Sequence, residues 1–164
     1  MSNKVVLIVG AGPGLSAAIA GRCAARGMIV LLAARNTDKL KVLSKEIDAM
    51  TICCDASKVD EVAALFDALD KGPGIPDLVV YNPSYRQRAP FTKLDPDEVY
   101  KTLMITCYGG FLVGQCAAKR MLTVGQGSIF LRGHQQALKA IEAPRHLQWA
   151  SLLFVVWRKA WLVN

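Results

Sequence analysis

With 164 residues, 52% of them hydrophobic and 20% charged, the chain is long enough to bury one sizeable core and too apolar to be disordered. Its formal charge of +7 comes from 20 Lys and Arg against 13 Asp and Glu. The basic residues are scattered, with no base-stacking motif between them, which argues against nucleic acid and leaves an anionic small molecule as the natural counterpart. The five cysteines, Cys23, Cys53, Cys54, Cys107 and Cys116, are odd in number and lack metal-ligand spacing, so they read as reduced core thiols with no metal expected.

The first element is Val5-Val6-Leu7-Ile8-Val9, a short apolar run that suits a strand buried on both faces. It breaks at once into Gly10, Gly12 and Gly14, followed by an alanine-rich helix over 16–26 with Leu15, Ile19 and Cys23 turned inward and Gly27 as its C-cap. Glycines in such a place admit backbone angles closed to other residues and let the main chain approach a pyrophosphate. The helix that follows aims unpaired N–H groups and a positive dipole end at the phosphates. The fingerprint G-x-G-x-x-G would need glycine where Leu15 stands. G-x-x-x-G-x-G fits instead, with Gly10 and Gly14 in its first two places and the small Ser16 in the third. An ordinary tight turn is the plain alternative.

A second buried strand is expected over 28–34, then a helix capped by Asn36 or Thr37 with Leu40, Leu43 and Ile47 inside. A third strand over 50–54 closes at Asp55. Ser57 with Asp60 resembles a capping box, opening a helix that turns Val59, Val62, Phe66 and Leu69 inward. The turn-rich stretch 71–76 leads into a fourth strand over 77–81, which runs into Asn82-Pro83-Ser84. Asp95-Pro96-Asp97-Glu98 combines an N-cap, a proline at the first helical position and a carboxylate, and starts a long helix reaching about Thr123. Gly125 and Gly127 end it. A fifth strand is expected over 128–131, a loop over 132–146 and a last helix over 147–163. That helix is too interrupted by Gln148, Arg158 and Lys159 to span a membrane, and with no signal peptide in view a cytoplasmic location is expected. Alternating strands and helices require right-handed crossovers and a parallel sheet covered on both faces.

These residues resemble the short-chain dehydrogenase/reductase family from Lys4 to about Lys159. Gly10, Gly12 and Gly14 match its glycine loop, and Asp55 matches the acidic residue that meets the adenine. Tyr81-Asn82-Pro83-Ser84 stands at its Asn-Asn-Ala-Gly, with only Asn82 retained. Thr106-Cys107-Tyr108-Gly109-Gly110-Phe111 falls at its Asn-x-x-Gly-x-Phe. The resemblance implies a single Rossmann-like doubly wound α/β domain over 1–164, strand order 3-2-1-4-5, with the family's C-terminal strands missing. It also implies a dinucleotide site made by Gly10, Gly12, Gly14, Leu15, Arg35, Asp55, Ala56, Asn82, Pro83 and Ser84. A carboxylate at the end of the second strand would accept bonds from the 2′-hydroxyl of NAD. Ala34-Arg35 offers a guanidinium instead, so NADP(H) is favoured, NADPH over NADH. Arg35 and Asp55 also read plainly as helix-start residues, and Asn82 as a strand end.

The family's chemistry is hydride transfer to or from a carbonyl or alcohol carbon, with Tyr as general acid or base, Lys beside it, Ser on the substrate oxygen and Asn supporting a relay water. Here Thr106 stands for the Asn, Ala137 for the Ser, and Trp149-Ala150-Ser151-Leu152-Leu153 for Tyr-x-x-x-Lys. No catalytic residue is assigned. The expected function is NADP(H) binding with impaired catalysis. The rival readings are a carbonyl reductase using an unusual acid, with His134 and His146 as the chemical candidates, and a decayed or truncated product. An unpaired edge at 128–131 and the apolar 152–157 imply a homodimer or pairing with a related chain.

Overall fold

A computed structural model describes residues 4–132. Five parallel strands, β1 (Val5–Val9), β2 (Ile29–Ala34), β3 (Met50–Cys53), β4 (Leu78–Tyr81) and β5 (Ser128–Leu131), form one sheet in the order β3-β2-β1-β4-β5. Its Rossmann-like winding is the one expected. The central strand β1 pairs Val6 with Val30 on one side and with Leu78 on the other. All five of its residues are buried. Val5, Leu7 and Val9 join a core with Phe66, Tyr81 and Val113 on one face of the sheet. Val6 and Ile8 join Ala20, Leu32 and Leu40 on the other. Strict alternation in a strand with no polar side is what helices on both faces demand.

The helices are α1 (Leu15–Ala24), α2 (Lys41–Glu46), α3 (Val59–Lys71), α4 (Pro96–Leu103) and α5 (Gly109–Val124). Several local expectations are corrected. Leu15 is 46% exposed; Cys23 faces inward as expected, joined in α1 by Ser16 and Ala20. Val59 is 57% exposed, while Leu65 takes a place beside Val62, Phe66 and Leu69. Ser57 does not cap α3. Its hydroxyl and its amide both bond to Asp55 Oδ1, a local turn that competes with the cap. Cys53 is exposed rather than core, and all five cysteines are free thiols. Asn36 Oδ1 accepts from the Asp38 amide, as a cap would, but it opens a single tight turn over Asp38–Leu40 before the short α2.

The largest correction concerns the expected helix from Pro96. It starts as foreseen, with Asp95 accepting from the Asp97 amide and Pro96 at the first position, and α5 ends at Gly125 in the left-handed region. Between α4 and α5, however, Met104–Tyr108 is a wide π turn. The Tyr81 hydroxyl donates to the Ile105 carbonyl inside that turn. Just beyond it, a Cβ on Gly109 would lie 2.3 Å from the Tyr81 hydroxyl and 2.6 Å from the Ala56 carbonyl. A buried phenol from the sheet thus occupies the helix wall, and the helix widens around it.

The expected loop over 132–146, apart from Arg132, and the helix over 147–163 lie outside the described residues. So do Ala137, Trp149, Ser151, Leu153, His134 and His146. Among the described residues no helix is long and apolar enough to cross a membrane.

Candidate dinucleotide site

β1 and β4 are adjacent in the sheet but not in sequence, and the chain departs from them in opposite directions. Such a switch point leaves a crevice beyond the carboxyl ends of the strands. A cavity of about 340 Å³ opens there. Of the residues expected to hold a cofactor, Gly10, Arg35, Asp55, Ala56, Asn82, Pro83 and Ser84 line it together. Gly12, Gly14 and Leu15 do not. They form the turn into α1 at its edge.

Gly10 sits at φ 75°, and a Cβ there would come within 2.5 Å of the Pro83 backbone nitrogen. Only glycine lets the two loops meet so closely. Its amide and that of Ala11 both donate to the Ala33 carbonyl, at 2.8 and 3.0 Å. Gly14 has φ 93°, and neither it nor Gly12 has a neighbour within 4 Å of a built Cβ. The loop is therefore tied down at Gly10 and open at Gly12 and Gly14. The helix α1 begins without a side-chain cap, so its first amides remain available to an anion. A pyrophosphate fits that donor set.

At the other end of the cavity Arg35, Asn36 and Lys39 gather beyond β2. Lys39 is not among the expected residues; the tight turn Asp38–Leu40 that follows β2 brings it to the cavity. Asp55 is the one carboxylate lining the cavity among the described residues. Burial pushes its carboxyl up, but the Ser57 hydroxyl and amide, Arg35 and Lys58 outweigh that and hold it below the ordinary carboxylate value. It stays ionised at neutral pH and can accept from an adenine amine. Its own amide donates to Glu61 Oε2 at 2.7 Å. Cys54 also borders the cavity, with burial the main cause pushing its thiol up to about 11, which excludes it as a thiolate nucleophile at neutral pH.

Ser16 proves to be more than a small residue for close packing. It is buried, donates to the Gly10 carbonyl at 3.3 Å and accepts from Asn82 Nδ2 at 2.7 Å. Asn82 Oδ1 in turn accepts from Arg132 at 2.9 Å. No sequence signal points to this link, because its members lie in three separate segments of the chain.

A family model described as short chain dehydrogenase matches residues 4–137. The chain belongs to the short-chain dehydrogenase family. The D-threitol dehydrogenase of Mycolicibacterium smegmatis is 29% identical to it over 161 residues, which cover 95% of this chain and 61% of that enzyme. Versicolorin reductase of Emericella nidulans is 28% identical over 152 residues, 89% of this chain and 56% of that protein. Among solved structures, NAD+-bound xylitol dehydrogenase superposes with a TM-score of 0.74 at 27% identity, over 78% of this chain and 52% of that one. A variant of actinorhodin polyketide ketoreductase with NADPH gives a TM-score of 0.74 at 28% identity, over 77% and 51%. The chain therefore spans only 51–61% of the length of these relatives.

Proposed function

We propose that this chain binds NADP(H) in the crevice above β1 and β4 and has lost efficient carbonyl chemistry. The observation that carries the first half is the pairing of an open glycine turn on an uncapped helix, at the edge of the cavity, with two cations, Arg35 and Lys39, that line it. The amides at the start of α1 would hold the pyrophosphate, Asp55 the adenine, and Arg35 with Lys39 the 2′-phosphate. When bound, the dinucleotide supplies a hydride equivalent for a carbonyl carbon. A titration calorimetry comparison tests the preference: NADPH is expected to bind about tenfold or more tightly than NADH, and Arg35→Asp to abolish that margin by weakening NADPH alone. Equal affinities in the unmodified chain refute the Arg35 assignment.

The second half rests on Thr106 and the tyrosines. Thr106 Oγ1 donates to the Thr102 carbonyl at 2.5 Å, so its hydroxyl is spent within the helix that should offer a relay group. Tyr81 is buried, with desolvation foremost in raising its pKa, and its proton is committed to Ile105. Carbonyl turnover with NADPH is expected to fall roughly 10²–10⁴-fold below that of an intact relative for want of a general acid.

One observation favours the rival reading of an active reductase. Tyr85 follows Ser84 of the cavity wall and has Lys101 Nζ 3.3 Å from its hydroxyl, the pairing of groups that proton transfer needs. That hydroxyl also donates to Glu98. Robust turnover abolished by Tyr85→Phe would establish it.

The proposal extends to a reducing, cytoplasmic setting, which suits five free thiols, and to a homodimer or a pairing with a related chain. Val99, Tyr100, Leu103, Tyr108 and Phe111 are partly or largely exposed along α4 to α5, more apolar surface than one helical stretch usually leaves to water. Light scattering on the purified chain distinguishes a discrete dimer from a monomer.

A further inference from the structure

Above the sheet, four residues drawn from the ends of β1, β4 and β5 and the start of α1 are joined by hydrogen bonds that all run one way. Arg132, the residue after β5, donates from Nη1 to Asn82 Oδ1 at 2.9 Å. Asn82, the residue after β4, donates from Nδ2 to Ser16 Oγ at 2.7 Å. Ser16, in the first turn of α1, donates to the Gly10 carbonyl at 3.3 Å. Chemistry fixes the direction. A guanidinium has donors only, so Asn82 must turn its oxygen to Arg132 and its amino group to Ser16. Ser16 then has its single proton left for Gly10. With the opposite amide orientation two donors would face each other at Arg132.

Both halves of the Gly10 residue are thereby held. Its amide is bound to the Ala33 carbonyl on the β2 side and its carbonyl to Ser16 on the α1 side, at a backbone angle of φ 75° that only glycine takes freely. Ser16 is 2% exposed, so its part of the chain is shielded from competing water. The residue that sets the orientation, Arg132, lies 116 positions later in sequence than Ser16. It is exposed, so its replacement leaves no void in the core.

We propose that Arg132 is a positioning residue for the phosphate loop: by orienting the Asn82 amide it orients Ser16, and through Ser16 it sets the Gly10 carbonyl and the entrance of α1 before an anion arrives. The loop's donors are then organised in advance, and a ligand that uses them does not have to order them. The consequence for affinity rests on the dinucleotide reading above. The ordering of the loop does not.

The test uses the full chain with Arg132→Met, Arg132→Lys, Ser16→Ala and the double variant Arg132→Met with Ser16→Ala. Without ligand, hydrogen-exchange NMR on residues 10–16 is expected to show about threefold or greater acceleration in Arg132→Met, with the β1–β2 ladder unchanged. Arg132→Lys, which keeps a charged donor, is expected to restore most of the protection. Unchanged exchange in the loop, or acceleration confined to β4 and β5, overturns the proposal. In NADPH titrations Arg132→Met and Ser16→Ala are each expected to cost about tenfold in affinity, Arg132→Lys much less, and the double variant about tenfold in total rather than a hundredfold, because both break one chain. Simple additivity also overturns it. A parent chain that binds no NADPH would refute the dinucleotide reading, while the exchange measurement still decides the role of Arg132.

Discussion

The phosphate-loop and β2 side of the fold and the β4 and α5 side treat their polar groups differently. On the phosphate-loop and β2 side the donors are left open: the turn at Gly12 and Gly14 has nothing packed on it, α1 lacks a side-chain cap, and Arg35 and Lys39, across the cavity from that turn, line the crevice without a carboxylate bridging them among the described ion pairs. Toward β4 and α5, the polar groups are consumed by one another. Tyr81 bonds to Ile105, Thr106 to Thr102, Tyr85 to Glu98 and Lys101, and Asn82 to both Ser16 and Arg132. An unoccupied donor is a binding group in waiting. A satisfied one is structure, because freeing it costs the hydrogen bond it already makes.

Glycine replacements give the largest expected effects and separate the two roles within the open end. Gly10→Ala places a Cβ against the Pro83 backbone at a left-handed angle, and is expected to cost about 3 kcal/mol or more in thermal unfolding. Gly12→Ala meets nothing, and is expected to leave stability within about 1 kcal/mol while weakening NADPH binding by placing a methyl where the pyrophosphate would approach. Similar melting temperatures for the two would show that Gly10 is not holding the loops together.

At the closed end, Tyr81→Phe removes the proton that the buried phenol donates to the half-buried Ile105 carbonyl. The expected loss is about 1–3 kcal/mol in chemical denaturation. No change in reductase activity should accompany it if this end is structural. An activity change without a stability change would reverse the assignment.

The smallest effect expected is at Asp55. Its folded pKa is depressed by partners that outweigh burial, so its contribution to stability is present above the ordinary carboxylate range and is lost as pH falls through the folded value. Asp55→Asn is expected to be less stable than the parent at pH 7, by less than about 1 kcal/mol since the amide oxygen still accepts from Ser57. The gap is expected to close below roughly pH 4. A gap that persists in acid would mean the charge of Asp55 plays no part.

Much of this architecture was legible in the chain alone. An all-apolar β1 running into Gly10, the alternation of strand and helix, and Asp95-Pro96 opening α4 are local signals, written in residues a few positions apart, and each element appeared where those signals placed it. What misled was also local. Leu15 and Val59 have the right spacing for an inner face, but each lies at the very start of its helix, where the approach of the preceding loop rather than the helical period decides what is covered. The π turn at Met104–Tyr108 and the link from Arg132 to Gly10 had no signal to read. Both depend on which strand end meets which helix: Tyr81 reaches Ile105 across 24 residues of sequence, and Asn82 joins Ser16 across 66. Periodicity and turn chemistry determined the elements and their order. Only the packed sheet, by bringing the ends of β1, β4 and β5 side by side, decided which polar groups remain open to a ligand and which are spent on each other.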